Sequence, residues 1–189
     1  MEHRALGALQ VSVIGLGTNN FGLPTAGLPP VGAVVCDQAR TTAIVRAALD
    51  AGVTFIDTAE EYALGEAESF IGAALGARRD EAVLATKFGS HHSPTPGHGA
   101  GAERVVRSVE GSLRRLGTDR IDLLQLHFPD PTTPVDETLE AMDRLVTDGK
   151  VREVGCCNFT SPLLDEAADA AAAAGLRPFA SAQNPYSIL

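Results

Sequence analysis

A chain of 189 residues, 44% of them hydrophobic and 21% charged, has the make-up of one globular domain with a core of its own. A net charge of −9 and a pI near 4.9 argue against nucleic acid or an anionic membrane as a partner, since both repel a protein of the same sign. No apolar run approaches the roughly 20 residues of a membrane span, and Met1-Glu2-His3-Arg4 lacks the basic start and apolar core of a signal peptide, so a cytoplasmic protein is expected.

In chain order, Arg4 to Ser12 with Gly7 at its middle predicts a hairpin, and Val11 to Leu16 predicts a first buried strand. Pro24 to Val31 is rich in Pro and Gly and reads as an excursion after that strand. An amphipathic helix is predicted from about Gln38 to Ala51, stopped by Gly52. A strand at Val53 to Ile56 precedes a helix at about Ala67 to Leu75, stopped by Gly76. A strand at Ala82 to Thr86 is followed by a loop, Ser90 to Gly101, and a helix in which Val105, Val109, Leu113 and Leu116 recur before Gly117. Ile121 to Leu126 is a strand. Next comes a helix with Thr133 as its cap, Pro134 at its first position and Gly149 after its end. Val151 to Gly155, a helix from about Ser161 to Ala174, and Phe179 to Gln183 complete the series.

Most of these strands are continuously apolar rather than alternating, as suits a parallel sheet covered on both faces. Six strands and five helices in alternation define an α/β protein. Doubly wound sheets and (β/α)8 barrels of the TIM type both fit that pattern.

The cysteines, Cys36, Cys156 and Cys157, are odd in number and two are adjacent, which argues against a disulfide framework and for a reducing compartment. Cys156 and Cys157 read as small residues near a strand end, with a reactive thiol as the alternative. His91, His92 and His98 in the Ser90–Gly101 loop match no common zinc spacing, so the loop reads as mobile and solvated and no metal is expected.

Four residues at or just past strand ends carry the chemical signal: Asp57, Tyr62, Lys87 and His127. Taken singly, each has a structural explanation. Asp57 with Thr58 could cap a turn, Lys87 could pair with an acid, Tyr62 could pack, and His127 could be a satisfied core histidine. Taken together they form a proton relay. A free phenol has a pKa near 10, a neighbouring ammonium lowers it, and a carboxylate keeps that ammonium charged and aimed. An imidazole beside them can orient a substrate oxygen. Such a set protonates an oxygen whose carbon gains electrons, and since no side chain carries hydride, a redox cofactor is implied.

The phrases around these residues resemble those of the aldo-keto reductase family. They include Gly15-Leu16-Gly17-Thr18, Phe55-Ile56-Asp57-Thr58-Ala59-Glu60-Glu61-Tyr62, Ala85-Thr86-Lys87-Phe88-Gly89, Ile121-Asp122-Leu123-Leu124-Gln125-Leu126-His127, Gly155-Cys156-Cys157-Asn158-Phe159 and Gln183-Asn184-Pro185-Tyr186. The resemblance implies a (β/α)8 barrel that binds NADP(H) and reduces an aldehyde or ketone. It implies Tyr62 as general acid, Lys87 and Asp57 as the pair that tunes it, and His127 as the orienting residue. It also implies that Gly17, Thr18, Asn19, Asp57, Cys157, Asn158 and Gln183 line the cofactor, with Asn158 and Gln183 on the carboxamide. Cys157 stands where the family usually has serine, and a thiol is the weaker hydrogen-bonding group.

Family barrels have eight strands, and this sequence reaches the sixth. Residues 1–189 are therefore expected to form a single barrel domain lacking its C-terminal part, with open sheet edges through which the chain self-associates. The expected partner in solution is a small carbonyl substrate. The alternative function is a non-catalytic, cofactor-sensing or remnant module of the same family.

Overall fold

A computed structural model describes residues 1–22, 36–97 and 99–187. Strands β1 (His3–Leu6) and β2 (Leu9–Ser12) pair as an antiparallel hairpin. The chain then runs β3 (Gly15–Gly17), α1 (Gln38–Asp50), β4 (Phe55–Asp57), α2 (Glu66–Leu75), β5 (Val83–Phe88), α3 (Ala102–Leu116), β6 (Ile121–Leu126), α4 (Val135–Thr147), β7 (Val151–Cys157), α5 (Ser161–Ala174) and β8 (Ser181–Gln183). Two 3₁₀ segments, Tyr62–Gly65 and Gly76–Glu81, flank α2. The Pro24–Val31 stretch and His98 lie outside the described residues.

Strand order separates the two architectures that alternation left open. Strands β3 to β8 are all parallel and lie in the sheet in chain order. A doubly wound sheet reverses its order at a switch point, and this sheet does not. Each helix from α1 to α4 packs on the next, as crossovers of one hand on one face require. Among the described residues the sheet curls into an incomplete (β/α)8 barrel of six strands with five helices outside.

The core lies in layers. Outward strand side chains meet the helices: Ile56 and Leu84 pack with Val45 of α1 and Ile71 of α2, and Leu124 and Val154 pack with Val105, Val109, Met142 and Leu145 of α3 and α4. Inside the curl, Leu9 and Val11 of the hairpin pack with Ala85 and Leu123, flanked by Phe55 and Val83. The hairpin therefore plugs the N-terminal end. Its turn fits closely, because Gly7 has φ +56° and a Cβ there would lie 2.5 Å from Glu153 Oε1. The Ala8 N–H donates to that same oxygen at 2.7 Å. Since strand side chains alternate, the row Phe55, Val83, Ala85 and Leu123 continues inward as Asp57, Lys87 and Gln125 at the other end.

Three expectations are corrected. Val11 to Leu16 is not one strand. Ser12 Oγ donates to Ile14 O and accepts from the N–H groups of Thr54 and Phe55, which turns the chain between the hairpin and β3. Thr133 does not cap α4. Its hydroxyl donates to Asp130 Oδ2 at 2.6 Å, and Pro134 occupies the cap position with no side-chain cap. The Ser90–Gly101 loop is not simply solvated, since Ser90, Thr95 and Ala100 are buried. Among the described residues no helix is long and apolar enough to cross a membrane.

Candidate active site

Lys87 is the centre of the C-terminal mouth. It is 2% exposed, and its three N–H groups all find acceptors. They reach Asp57 Oδ1 at 2.7 Å, the Thr58 carbonyl at 2.9 Å and the Tyr62 hydroxyl at 3.3 Å. Register explains the approach: Asp57 pairs with Ala85, two residues before Lys87 on the same inward row. Burial works against the ammonium, but the charge and hydrogen bond of Asp57, joined at high pH by the ionised Tyr62, outweigh it and raise the Lys87 pKa. Lys87 is a fixed cation.

Tyr62 opens the 3₁₀ segment after β4, with its ring under the ammonium at 5.1 Å from Nζ to the centroid. Its pKa is raised, contrary to expectation. Burial is the largest cause. Lys87 does pull the phenol down, but burial with help from Asp57 and Glu61 outweighs that pull. Tyr62 is thus a neutral phenol at pH 7. Its oxygen accepts from Lys87, which leaves its own hydrogen to donate elsewhere. The two residues that follow, Ala63 and Leu64, have φ of +48° and +53°. Non-glycine residues avoid that region, so the turn that presents Tyr62 holds strain.

His127 follows β6 directly. Its N–H donates to Phe88 O at 2.8 Å, and its carbonyl accepts from Asn158 Nδ2 at 2.8 Å. The ring stacks on Phe128 and stands edge-on to Tyr62, with centroids 6.1 Å apart. Burial and the Lys87 charge push the imidazole down to about 4, so it is neutral at pH 7.

The residues expected to line a cofactor form the other side of the mouth. Gln183, at the end of β8, donates through Nε2 to Asp57 Oδ2 at 3.2 Å. Its Oε1 accepts from Gln125 Nε2 at 3.4 Å and from the Cys157 thiol at 3.5 Å. Cys157 is buried, and burial pushes its thiol up to about 12, so it is a neutral, weak donor. Asn158 has φ +60° and directs its side-chain amide to His127. Gly17 lies opposite, paired with Asp57, and a Cβ there would meet nothing within 4 Å. Thr18 is placed differently from a residue facing a ligand. It is buried, and both its hydroxyl and its N–H donate to the Asp57 carbonyl, at 2.9 and 3.1 Å. Asn19 is exposed.

Sequence reasoning did not single out four side chains that brace the site. Gln125, 2% exposed, also reaches Asp57 Oδ1 at 3.5 Å. Its signal was present, because it lies between Leu123 and His127 with the same inward parity. Glu60 is fully buried and accepts from Arg104 Nη2 at 2.8 Å, from the Thr95 hydroxyl at 2.8 Å and from the Gly89 N–H at 3.3 Å. Glu61 accepts from the Ser90 hydroxyl and faces His127. The pairings of Glu60, Glu61 and Ser90 join distant segments, and nothing local in the sequence announces them.

The profile of the aldo/keto reductase family matches residues 13–189, nearly the whole chain and every residue of the mouth. The chain belongs to the aldo/keto reductase family. It is 37% identical over 194 residues to the aldo-keto reductase YhdN of Bacillus subtilis, covering 100% of this chain and 54% of that protein. The holo form of the aldo-keto reductase AKR11C1 from Bacillus halodurans superposes with a TM-score of 0.82 at 32% identity, covering 100% of this chain and 59% of the other. An aldo/keto reductase from Klebsiella pneumoniae, solved in complex with NADP and acetate, superposes at 0.68 with 37% identity over 84% of this chain and 50% of that one. The chain thus spans between half and three fifths of the length of these relatives.

Proposed function

We propose that this chain carries the proton-transfer machinery of an NADP(H)-dependent reductase of aldehydes or ketones, with Tyr62 as general acid. The observation that carries the reading is the threefold bonding of Lys87. It leaves no freedom in the ammonium and gives the Tyr62 hydroxyl one open direction for its proton.

In the reduction, the Tyr62 O–H donates to the substrate oxygen, and the proton follows as negative charge grows there. Lys87 stabilises the phenolate that results, and Asp57 keeps Lys87 charged. In the reverse direction the same phenolate takes the proton back. His127 sits beside Tyr62 and orients the substrate oxygen. When bound, the nicotinamide cofactor supplies the hydride. The residues present fit its carboxamide end. A primary amide needs both donors and acceptors, Gln183 offers an exposed amide beside Asp57, and the mouth over Gly17 is open. The NADP in the Klebsiella pneumoniae relative supports the choice of cofactor.

A second reading has its own support. The chain is 38% identical over 135 residues to a probable voltage-gated potassium channel subunit beta from Oryza sativa, covering 69% of this chain. A domain that binds cofactor without turnover is the corresponding function.

Fluorescence titration with NADPH followed by NADPH oxidation over a panel of aldehydes tests both. Binding with turnover that falls roughly 10²–10⁴-fold in Tyr62→Phe, binding unchanged, is the expected result. Binding without turnover selects the sensing module. Absence of binding at saturating NADPH overturns both for this chain.

A further inference from the structure

Glu61 has no part in the chemistry described so far, yet it stands between the proton donor and the orienting imidazole. Glu60 beside it is locked to Arg104, Thr95 and Gly89, and the Glu60 N–H donates to the Lys87 carbonyl at 3.1 Å. The backbone of this segment is therefore tied to the end of β5, which fixes the direction of Glu61. Its Oε2 accepts from the Ser90 hydroxyl, and its Oε1 lies 3.4 Å from His127 Nδ1. The Glu61 side chain is 17% exposed, enough for a small molecule in the mouth to reach it.

The protein leaves this carboxylate unbalanced. The cations close by are committed to other acids, Lys87 to Asp57 and Arg104 to Glu60. Ser90 contributes a neutral hydroxyl, and His127 is neutral at pH 7. To orient a carbonyl oxygen, His127 donates from Nε2, which leaves Nδ1 without a hydrogen. Nδ1 is buried and has no hydrogen-bond partner. Oε1 thus faces an acceptor, not a donor. With Lys87 and Asp57 cancelling, the mouth keeps one negative charge beside the reacting oxygen, and a carboxylate in a half-dry site draws a donor or a cation.

We propose that Glu61 is a specificity-determining residue that selects carbonyl compounds, and the alcohols they form, whose neighbouring carbon bears an ammonium or a hydroxyl group, and turns away those with a carboxylate there. The inference rests on the proposed reductase, since it takes the substrate oxygen to lie on Tyr62 and His127. A molecule held by that oxygen brings the substituent of its next carbon alongside Glu61. An ammonium there makes a charge-assisted hydrogen bond, a hydroxyl makes a neutral one, and a carboxylate is repelled. Ser90 supports the selection, because its donation to Oε2 keeps the carboxylate from turning away.

Three alcohols that differ only in that substituent serve as probes: phenylethanolamine, styrene glycol and mandelate. Their dissociation constants are measured by amide chemical-shift titration of the ¹⁵N-labelled chain, with NADP(H) absent and present, and their NADP-dependent oxidation is followed in parallel. The wild type is expected to hold phenylethanolamine about 10-fold more tightly than mandelate, with styrene glycol between them. High salt is expected to narrow that gap. Glu61→Gln keeps the shape and loses the charge, and is expected to abolish most of the gap. Mandelate bound as tightly as phenylethanolamine by the wild type overturns the proposal, as does an unchanged gap in Glu61→Gln or failure of all three to bind. The expected order of binding with no oxidation upholds the role of Glu61 and counts against the reductase. Oxidation of all three without preference does the reverse. Should Glu61→Gln fail to fold, the wild-type order and its response to salt decide.

Discussion

At the residue scale the mouth is a set of groups whose charge states are fixed by burial and by one another. Lys87 is held charged by Asp57, Tyr62 is held neutral by burial, and His127 is held neutral by burial and by Lys87. The histidine makes a prediction about stability. Its folded pKa is lowered from 6.5 to about 4, so between those values the unfolded chain takes up a proton that the folded chain refuses. Stability therefore falls as pH drops from about 6.5 toward 4, and this contribution changes no further below that. The whole shift corresponds to at most on the order of 3 kcal/mol. Urea unfolding of the wild type and His127→Gln at several pH values isolates it. The wild type is expected to lose more stability across that window, and equal losses would show that His127 titrates normally. Asp57, Lys87 and His127 were legible in the sequence because each closes or follows an apolar run, and Tyr62 because it lies a few residues past one. The raised phenol was not, since it depends on how much water the folded mouth excludes.

At the element scale the helices follow their sequence signals closely, because amphipathic spacing and a terminal glycine are local properties. The predicted ends at Gly52, Gly76, Gly117, Gly149 and Gly175 all stand, and each of these glycines has positive φ. The failures come where a side chain takes a partner other than the predicted one, Thr133 the preceding Asp130 and Ser12 the distant backbone of Thr54 and Phe55. The loop after β5 is the fullest case. Glu60 and Arg104, 0% and 4% exposed as side chains, pair at its base, and Asp130 accepts from the Ala100 N–H at its far end. Packing between helices sets a separate constraint at Gly72 of α2. A Cβ there would lie 2.3 Å from the Leu116 carbonyl oxygen, and backbone cannot step aside as a flexible side chain would. Gly72→Ala is expected to push α2 and α3 apart and to destabilise by about 1–3 kcal/mol, measured as a lower denaturant midpoint. An unchanged midpoint would mean that the two helices shift freely.

At the scale of the whole molecule the sheet has, among the described residues, two edges, β3 and β8, each with one paired flank. β8 is short, and its Ala182 and Gln183 are exposed, so its outer N–H and C=O groups are available to another strand. The 189-residue chain expressed by itself is expected to associate in a concentration-dependent way in sedimentation velocity and to melt broadly. A sharp melt at constant monomer mass would refute this. The sequence by itself determined the kinds of element, their order and the residues at the strand ends, which rest on local periodicity and spacing, and it carried the phrases that resemble the family. Tertiary structure decided the rest. Strand order separated the barrel from the doubly wound sheet, and the curl of that barrel brought Asp57, Lys87 and Tyr62 within hydrogen-bonding reach, with His127 beside them. Burial then set their protonation. Each of these outcomes depends on long-range contact and excluded water, which no stretch of sequence contains on its own.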